Sequence, residues 1–108
     1  MADAPIIVLT HAPDAAIAAG IARALVEKRL AACVNIGAPI ESIYHWRGRI
    51  ETANEIPLAI KTRADLYRNV EAAIRDIHPY DTPEIIAIPI VDGDARYLEW
   101  IAAETASS

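Results

Sequence analysis

Three histidines, His11, His45 and His78, and one cysteine, Cys33, are the side chains in this sequence best suited to hold a metal. Imidazole suits Cu(II) and Zn(II), and thiolate sulfur suits Cu(I), with Asp or Glu as auxiliaries. None of the four stands at a ligand spacing such as CxxC or HxxxH. A closed site therefore has to be assembled in three dimensions or across subunits. His78 and Cys33 are the candidate metal ligands. His78 precedes Pro79 at the end of a helical pattern, where the helix dipole alone also favours a histidine. Cys33 lies in an apolar strand-like run, where a free cysteine more often packs as a small hydrophobe. His45 reads as an interface or surface residue.

A second constellation suits a small ligand. Lys61-Thr62 ends one apolar run and enters a helical pattern, and Tyr80, Asp81 and Glu84 follow that helix. Strand ends and their adjoining loops cluster in a β-α-β unit, so these groups are expected to converge near Lys61. Tyr44 and Trp46 from a neighbouring copy would wall the cleft, with Glu55 beside them. Clefts between subunits with a few polar groups are ordinary ligand sites. The structural alternative is open: Lys61 pairs with Glu84 or Glu55, and the aromatics are interface core. Catalysis has less support. Ser42, Ser107 and Ser108 are the only serines, with no G-x-S-x-G and no Gly-rich phosphate loop. The expectation is a protein that is not an enzyme.

The elements that position these residues follow from periodicity. Pro5 to Thr10 is a continuous apolar run, as in a strand buried on both faces. Asp14 is placed to cap a helix with the stripe Ile17, Ile21, Leu25, flanked by Ala18, Ala22 and Val26. Ala32 to Ile36 is a second strand, interrupted by Gly37-Ala38-Pro39 as a bulge or bend would. Residues 40–47 continue it, with Ile40, Ser42, Tyr44 and Trp46 on one face and Glu41, Ile43, His45 and Arg47 on the other. After a turn at Arg47-Gly48-Arg49 the chain returns to Lys61-Thr62. Thr62-Arg63-Ala64-Asp65 matches a capping box, and Leu66, Val70, Ile74 and Ile77 form the next helical stripe, stopped by Pro79. Glu84 to Val91 is a fourth strand, and Pro89 marks it as an edge or as bulged. Asp94 caps a short last helix with Tyr97, Leu98 and Ile101 inward.

This order, βαββαβ plus a C-terminal helix, is an α+β ferredoxin-like sandwich with an extended hairpin between its second and third strands. No helix is left for the far face of the sheet, yet the strands are apolar on both faces. At about 3.3 Å per residue the arm from 40 to 47 reaches roughly 26 Å, twice the ~13 Å radius of gyration of such a body. A lone ribbon is marginal in water. It is expected to pack on a neighbouring copy of the chain, the alternative being that it folds back across its own sheet.

The totals are consistent with this. A length of 108 residues suits one domain. A hydrophobic share of 54% exceeds the usual ~45–50% and asks for a dense core or a subunit interface. A net charge of −5 and a pI of about 5.0 disfavour nucleic acid and anionic membranes as partners. One cysteine permits no internal disulfide, and no secretory signal or membrane-spanning run is visible. The expected location is cytoplasmic. Residues 1–4 and the Ala-Ser-Ser tail are expected to be loose, leaving an ordered core of about 5–103.

"LAACVNI", "SIYHWRGRIE", "IKT", "HPYDTPEI" and "YLEWI" stand in an order and at separations that together resemble the CutA family of divalent-cation-tolerance proteins, CutA1. The resemblance covers Ile6 to about Ile101 and implies one CutA-like domain over residues 1–108. It implies a compact homotrimer akin in architecture to PII signalling proteins. It also implies a link to tolerance of copper and other divalent metals, with no obligatory cofactor, Cu(II) or another divalent cation as a possible ligand, and no assigned reaction. Two positions depart from the family. Thr10, followed by His11, stands where some relatives carry a cysteine, which removes a soft ligand, and Thr82 replaces a common aliphatic residue. The leading expectation is a cytosolic homotrimer binding divalent metal or a small ligand at an intersubunit cleft. The alternatives are a PII-like signalling or scaffold trimer acting through a protein partner, and a small-ligand enzyme on the frame that acylphosphatases use. An RNA-binding use of the frame is disfavoured by charge.

Overall fold

The structure is a computed structural model, described for residues 4–105. The elements are β1 (Pro5–Ala12), α1 (Ala15–Glu27), β2 (Cys33–Ile36), β3 (Ile40–Trp46), β4 (Arg49–Arg63), a 3-10 turn (Ala64–Leu66), α2 (Tyr67–Ile77), β5 (Ile85–Pro89) and α3 (Ala95–Glu104). The sheet runs β2-β4-β1-β5, and β3 pairs with the other half of β4. Every pairing is antiparallel. The chain is thus a mixed α+β fold with its elements in the order the periodicity predicts. Among the described residues no helix is long and apolar enough to cross a membrane. The loose ends expected at residues 1–3 and in the tail lie outside the described residues. Ala4 is tied in, its carbonyl accepting from the Ala64 N–H at 2.8 Å.

Register decides the core. Ile6, Val8, Thr10 and Ala12 are buried on one face of β1, while the residues between them are half-buried. Directly opposed residues share a face, and Val8 faces Ile60, Thr10 faces Leu58, and Ile6 faces Thr62. Ile21 and Leu25 of α1 and Val70 and Ile74 of α2 close over this face. Asp14 caps α1 as expected, its Oδ1 accepting from the Ile17 N–H at 2.8 Å. Val26, grouped by spacing with the inward stripe, is instead exposed at the end of the helix.

The capping box does not form. Thr62 stays in β4 with its side chain in the core, and its hydroxyl donates to the Leu30 carbonyl at 2.6 Å. The ladder to Ile6 outcompetes the cap, and α2 starts only at Tyr67, with no side-chain cap. In α3, Asp94 Oδ2 accepts from the Tyr97 N–H at 3.0 Å, as predicted. Ile101 is buried where α3 meets β4 and β1. Tyr97, expected inward, is exposed and stacks on Trp100 with centroids 5.6 Å apart. β5 is an edge strand, where Pro89 costs no ladder bond.

The opposite face of the sheet keeps its apolar residues. Ile88 and Ile86 on β5 face Ile7 and Leu9 on β1, and both β5 residues remain exposed. The ribbon of β3 and the first half of β4 gives the molecule a 44 Å long axis against 26 and 23 Å for the others. It turns at Arg47 (φ 52°) and Gly48 (φ 79°). Positive φ at both central residues is the type I′ turn whose twist suits a two-residue hairpin. Ile43 and Ile50 on the ribbon are 67% and 70% exposed.

Candidate functional site

Where the ribbon leaves the body, it roofs a cleft of about 620 Å³ lined by β1, β3, β4 and the segment after α2. β1 contributes His11 and β4 contributes Glu55. His11 opposes Pro57 in the ladder, which puts Glu55 on the diagonal, within side-chain reach. His11 Nδ1 lies 3.4 Å from Glu55 Oε1 and 3.8 Å from Glu84 Oε1. Glu55 is only 8% exposed, an unusual place for a carboxylate. Tyr44 and Trp46 come from β3, and Tyr80, Asp81 and Glu84 from the loop that follows α2.

That loop is held by His78. The Tyr80 N–H donates to His78 Nδ1 at 3.2 Å, and His78 Nε2 lies 2.6 Å from the His11 carbonyl. With Nδ1 accepting, Nε2 carries the proton and donates, so both ring nitrogens are engaged. His78 is buried and meets the Tyr80 ring edge-on at 4.7 Å. It ties β1 to the loop and so sets Tyr80 against Glu55. Burial pushes the Tyr80 phenol above its ordinary 10.0, and the Glu55 carboxylate and the Tyr44 phenol push it the same way.

The sequence-predicted cleft residues divide. Tyr44, Trp46, Glu55, Tyr80 and Glu84 come together. The aromatics that line it here belong to the chain's own ribbon. Lys61 and Thr62 are not among them. Lys61 is six residues beyond Glu55 along β4, about 20 Å at strand rise, and its Nζ meets Asn35 Oδ1 rather than Glu55 or Glu84. Thr62 is in the core. Cys33 opposes Lys61 at that same far end, half-buried, with Sγ 3.8 Å from Asn35 Oδ1. His78 and Cys33 therefore do not meet. Thr10 points into the helix-covered core and not into the cleft. His45 lies out on the ribbon, opposite Ile50.

Sequence reasoning did not place His11, Ser42, Ile43 or Thr82 in the cleft. His11 was separable from the core positions of its strand by period-two alternation. Its approach to Glu55 depends on the β1–β4 register, which a single strand's pattern does not reveal. Among the described residues no group of three or more His, Cys, Asp or Glu side chains is arranged to hold a metal ion. The residues present therefore do not fit a closed metal site. His11 and its two carboxylates offer only a loose set.

An antiparallel sheet backed by helices, a projecting ribbon and an acidic, aromatic cleft at its root define a small α+β protein with a ligand-sized site. The profile of the family described as "CutA1 divalent ion tolerance protein" matches residues 6–104, and the chain belongs to that family. It is 41% identical over 99 residues to the divalent-cation tolerance protein CutA of Thermus thermophilus, covering 92% of this chain and 96% of that one. It is 45% identical over 95 residues to human protein CutA, covering 88% of this chain but 53% of the relative, so it spans about half the length of the human protein. Among solved structures, CutA1 from Shewanella sp. SIB1 superposes with a TM-score of 0.94 at 43% identity, covering 99% and 100% of the two chains. CutA1 from Oryza sativa superposes with a TM-score of 0.94 at 38% identity, covering 99% and 98%. The family is described by tolerance of divalent ions, and the names of these relatives cite no reaction.

Proposed function

We propose that this protein is a cytoplasmic homotrimer on the ferredoxin-like, PII-like plan that serves divalent-cation tolerance without catalysing a reaction. Its cleft takes a small ligand, and divalent cations such as Cu(II) bind there weakly. The observation that carries this reading is the convergence of His11, Glu55 and Glu84 under Tyr44 and Trp46 in a space of small-molecule size. Imidazole with carboxylates is a borderline set that accepts Cu(II) or Zn(II). Its openness speaks for loose, exchangeable binding. Assembly is supported by exposed Ile43, Ile50, Ile86 and Ile88 on the ribbon and the helix-free face. Exposed isoleucines gathered on a ribbon and a sheet face suit a protein contact, and subunits packed around the ribbons would turn the cleft into an intersubunit one.

Sedimentation tests the assembly and calorimetry the site. The expected particle is three times the 11.7 kDa chain, and Trp46→Ala loosens it. Well-folded single chains at micromolar concentration would overturn the trimer. Cu(II) and Zn(II) should bind with affinity lowered about tenfold by His11→Ala and unchanged by Cys33→Ser. Equal affinities in all three proteins would remove the cleft as the metal's place. Signalling through a protein partner is the competing reading, and the exposed Tyr97–Trp100 stack on α3 is a surface it would use.

A further inference from the structure

We infer that the cleft selects a small organic cation bearing N–H donors, of the alkylammonium or diamine class. This rests on the reading of the cleft as a ligand site and names the chemistry of what enters it. Three carboxylates, Glu55, Asp81 and Glu84, line it, and no described lysine or arginine of the same chain does. Arg75, the guanidinium that reaches this loop, meets the Asp81 backbone carbonyl at 3.4 Å rather than its carboxylate. Glu55 is nearly buried, with His11 at 3.4 Å and the Tyr80 phenol beside it. A buried anion favours a cation that can also donate hydrogen bonds to it.

The walls give the second half of the argument. Tyr44, Trp46 and Tyr80 present three aromatic rings to the same space. Aromatic faces attract cations through their quadrupole, Trp most strongly, and they cover alkyl carbons equally well. A hydrated divalent ion has no alkyl carbons for the rings to cover, and an anion would face three carboxylates. A compact ammonium head on a short alkyl chain uses both properties of the rings. The volume of about 620 Å³ suits a ligand of that size. The net charge of −5 adds a long-range field that draws cations inward.

Calorimetry on the intact protein with 1,4-diaminobutane, butylamine, 1,4-butanediol and butyrate tests this. The diamine should bind at least about tenfold tighter than the diol, which matches its chain and lacks its charge, and butyrate should not bind. Glu55→Gln should weaken the diamine by about tenfold or more. Glu84→Gln, at a more exposed position, should weaken it less. Tyr80→Leu should cost about threefold, and the remote Glu27→Gln nothing. The inference is overturned if the diol matches the diamine, if no amine binds, or if Glu27→Gln weakens binding as much as the two cleft variants. If Zn(II) binds in a His11-dependent way and no amine does, the inference falls while the ligand-site reading stands. If neither binds, both fall. If the amine binds and Zn(II) does not, the inference stands without a metal.

Discussion

β4 passes through two environments within one strand. From Leu58 to Thr62 its alternate residues are buried under α1 and α2, and from Arg49 to Asn54 none is buried. The two halves carry similar β-forming residues and make the same kind of antiparallel ladder. What differs is the third partner: helices cover one half, and no described residue covers Ile50 on the other. Ile60 is 0% exposed and Ile50 is 70% exposed. Within a single strand, sequence pattern thus specifies pairing, while burial depends on what arrives from elsewhere.

The sharpest way to test that difference is to truncate both. Ile60→Ala should cost about 2–5 kcal/mol in urea unfolding, through lost transfer energy and the cavity left behind. In the proposed trimer Ile50→Ala should also cost stability, whereas a ribbon that faces water would hold the change within about 0.5 kcal/mol. A loss at Ile50 approaching that at Ile60 would erase the contrast and place the ribbon inside an assembly. The loss would then depend on protein concentration, as subunit linkage requires.

A smaller effect separates the cleft from both halves. Tyr80 holds its proton longer in the folded chain than in the unfolded one, chiefly because it is desolvated and then because Glu55 and Tyr44 adjoin it. The unfolded state therefore loses this proton first as pH rises. Stability linked to Tyr80 is complete below about pH 10 and declines as pH climbs through the raised folded value. The phenolate absorbance missing from Tyr80→Phe should titrate above the ordinary value. Glu55→Gln should bring that midpoint down only in part, because burial is the larger cause. A midpoint at or below the ordinary value would mean that Tyr80 faces open solvent.

The same contrast explains what could be read before the structure. The body was readable because its cues agree: Asp14 and Asp94 as caps, the Ile21–Leu25 and Val70–Ile74 stripes, and Pro89 on an edge. Thr62 misled because its local cap signal lost to the ladder with Ile6 and the bond to Leu30. The cleft was readable only in part. Tyr44, Trp46, Glu55, Tyr80 and Glu84 were found by residue type, but Lys61 was placed among them as a strand-end neighbour. The length of β4 puts it at the other end of the sheet. His11 joins through register and through His78's grip on its carbonyl, and neither is a local property of the sequence.

The smallest expected effect lies at the ribbon's tip. Arg47 holds a left-handed conformation (φ 52°) that costs a residue with a Cβ about 1–2 kcal/mol. Asn tolerates that region far better and is preferred there in a type I′ turn before Gly48. Against this, the Arg47 guanidinium sits 5.5 Å from the Trp46 ring centroid, a contact worth about 0.5–1 kcal/mol at an exposed site. Arg47→Asn removes the strain and the contact together, so the net gain should be a few tenths of a kcal/mol, confined to the ribbon. Amide hydrogen exchange at Tyr44 and Glu51, which face each other across the hairpin, should slow about twofold, while Ile60 is unchanged. Faster exchange at the tip would mean that the arginine's stacking on Trp46 outweighs the backbone strain, and that the ribbon is held by its side chains more than by its turn.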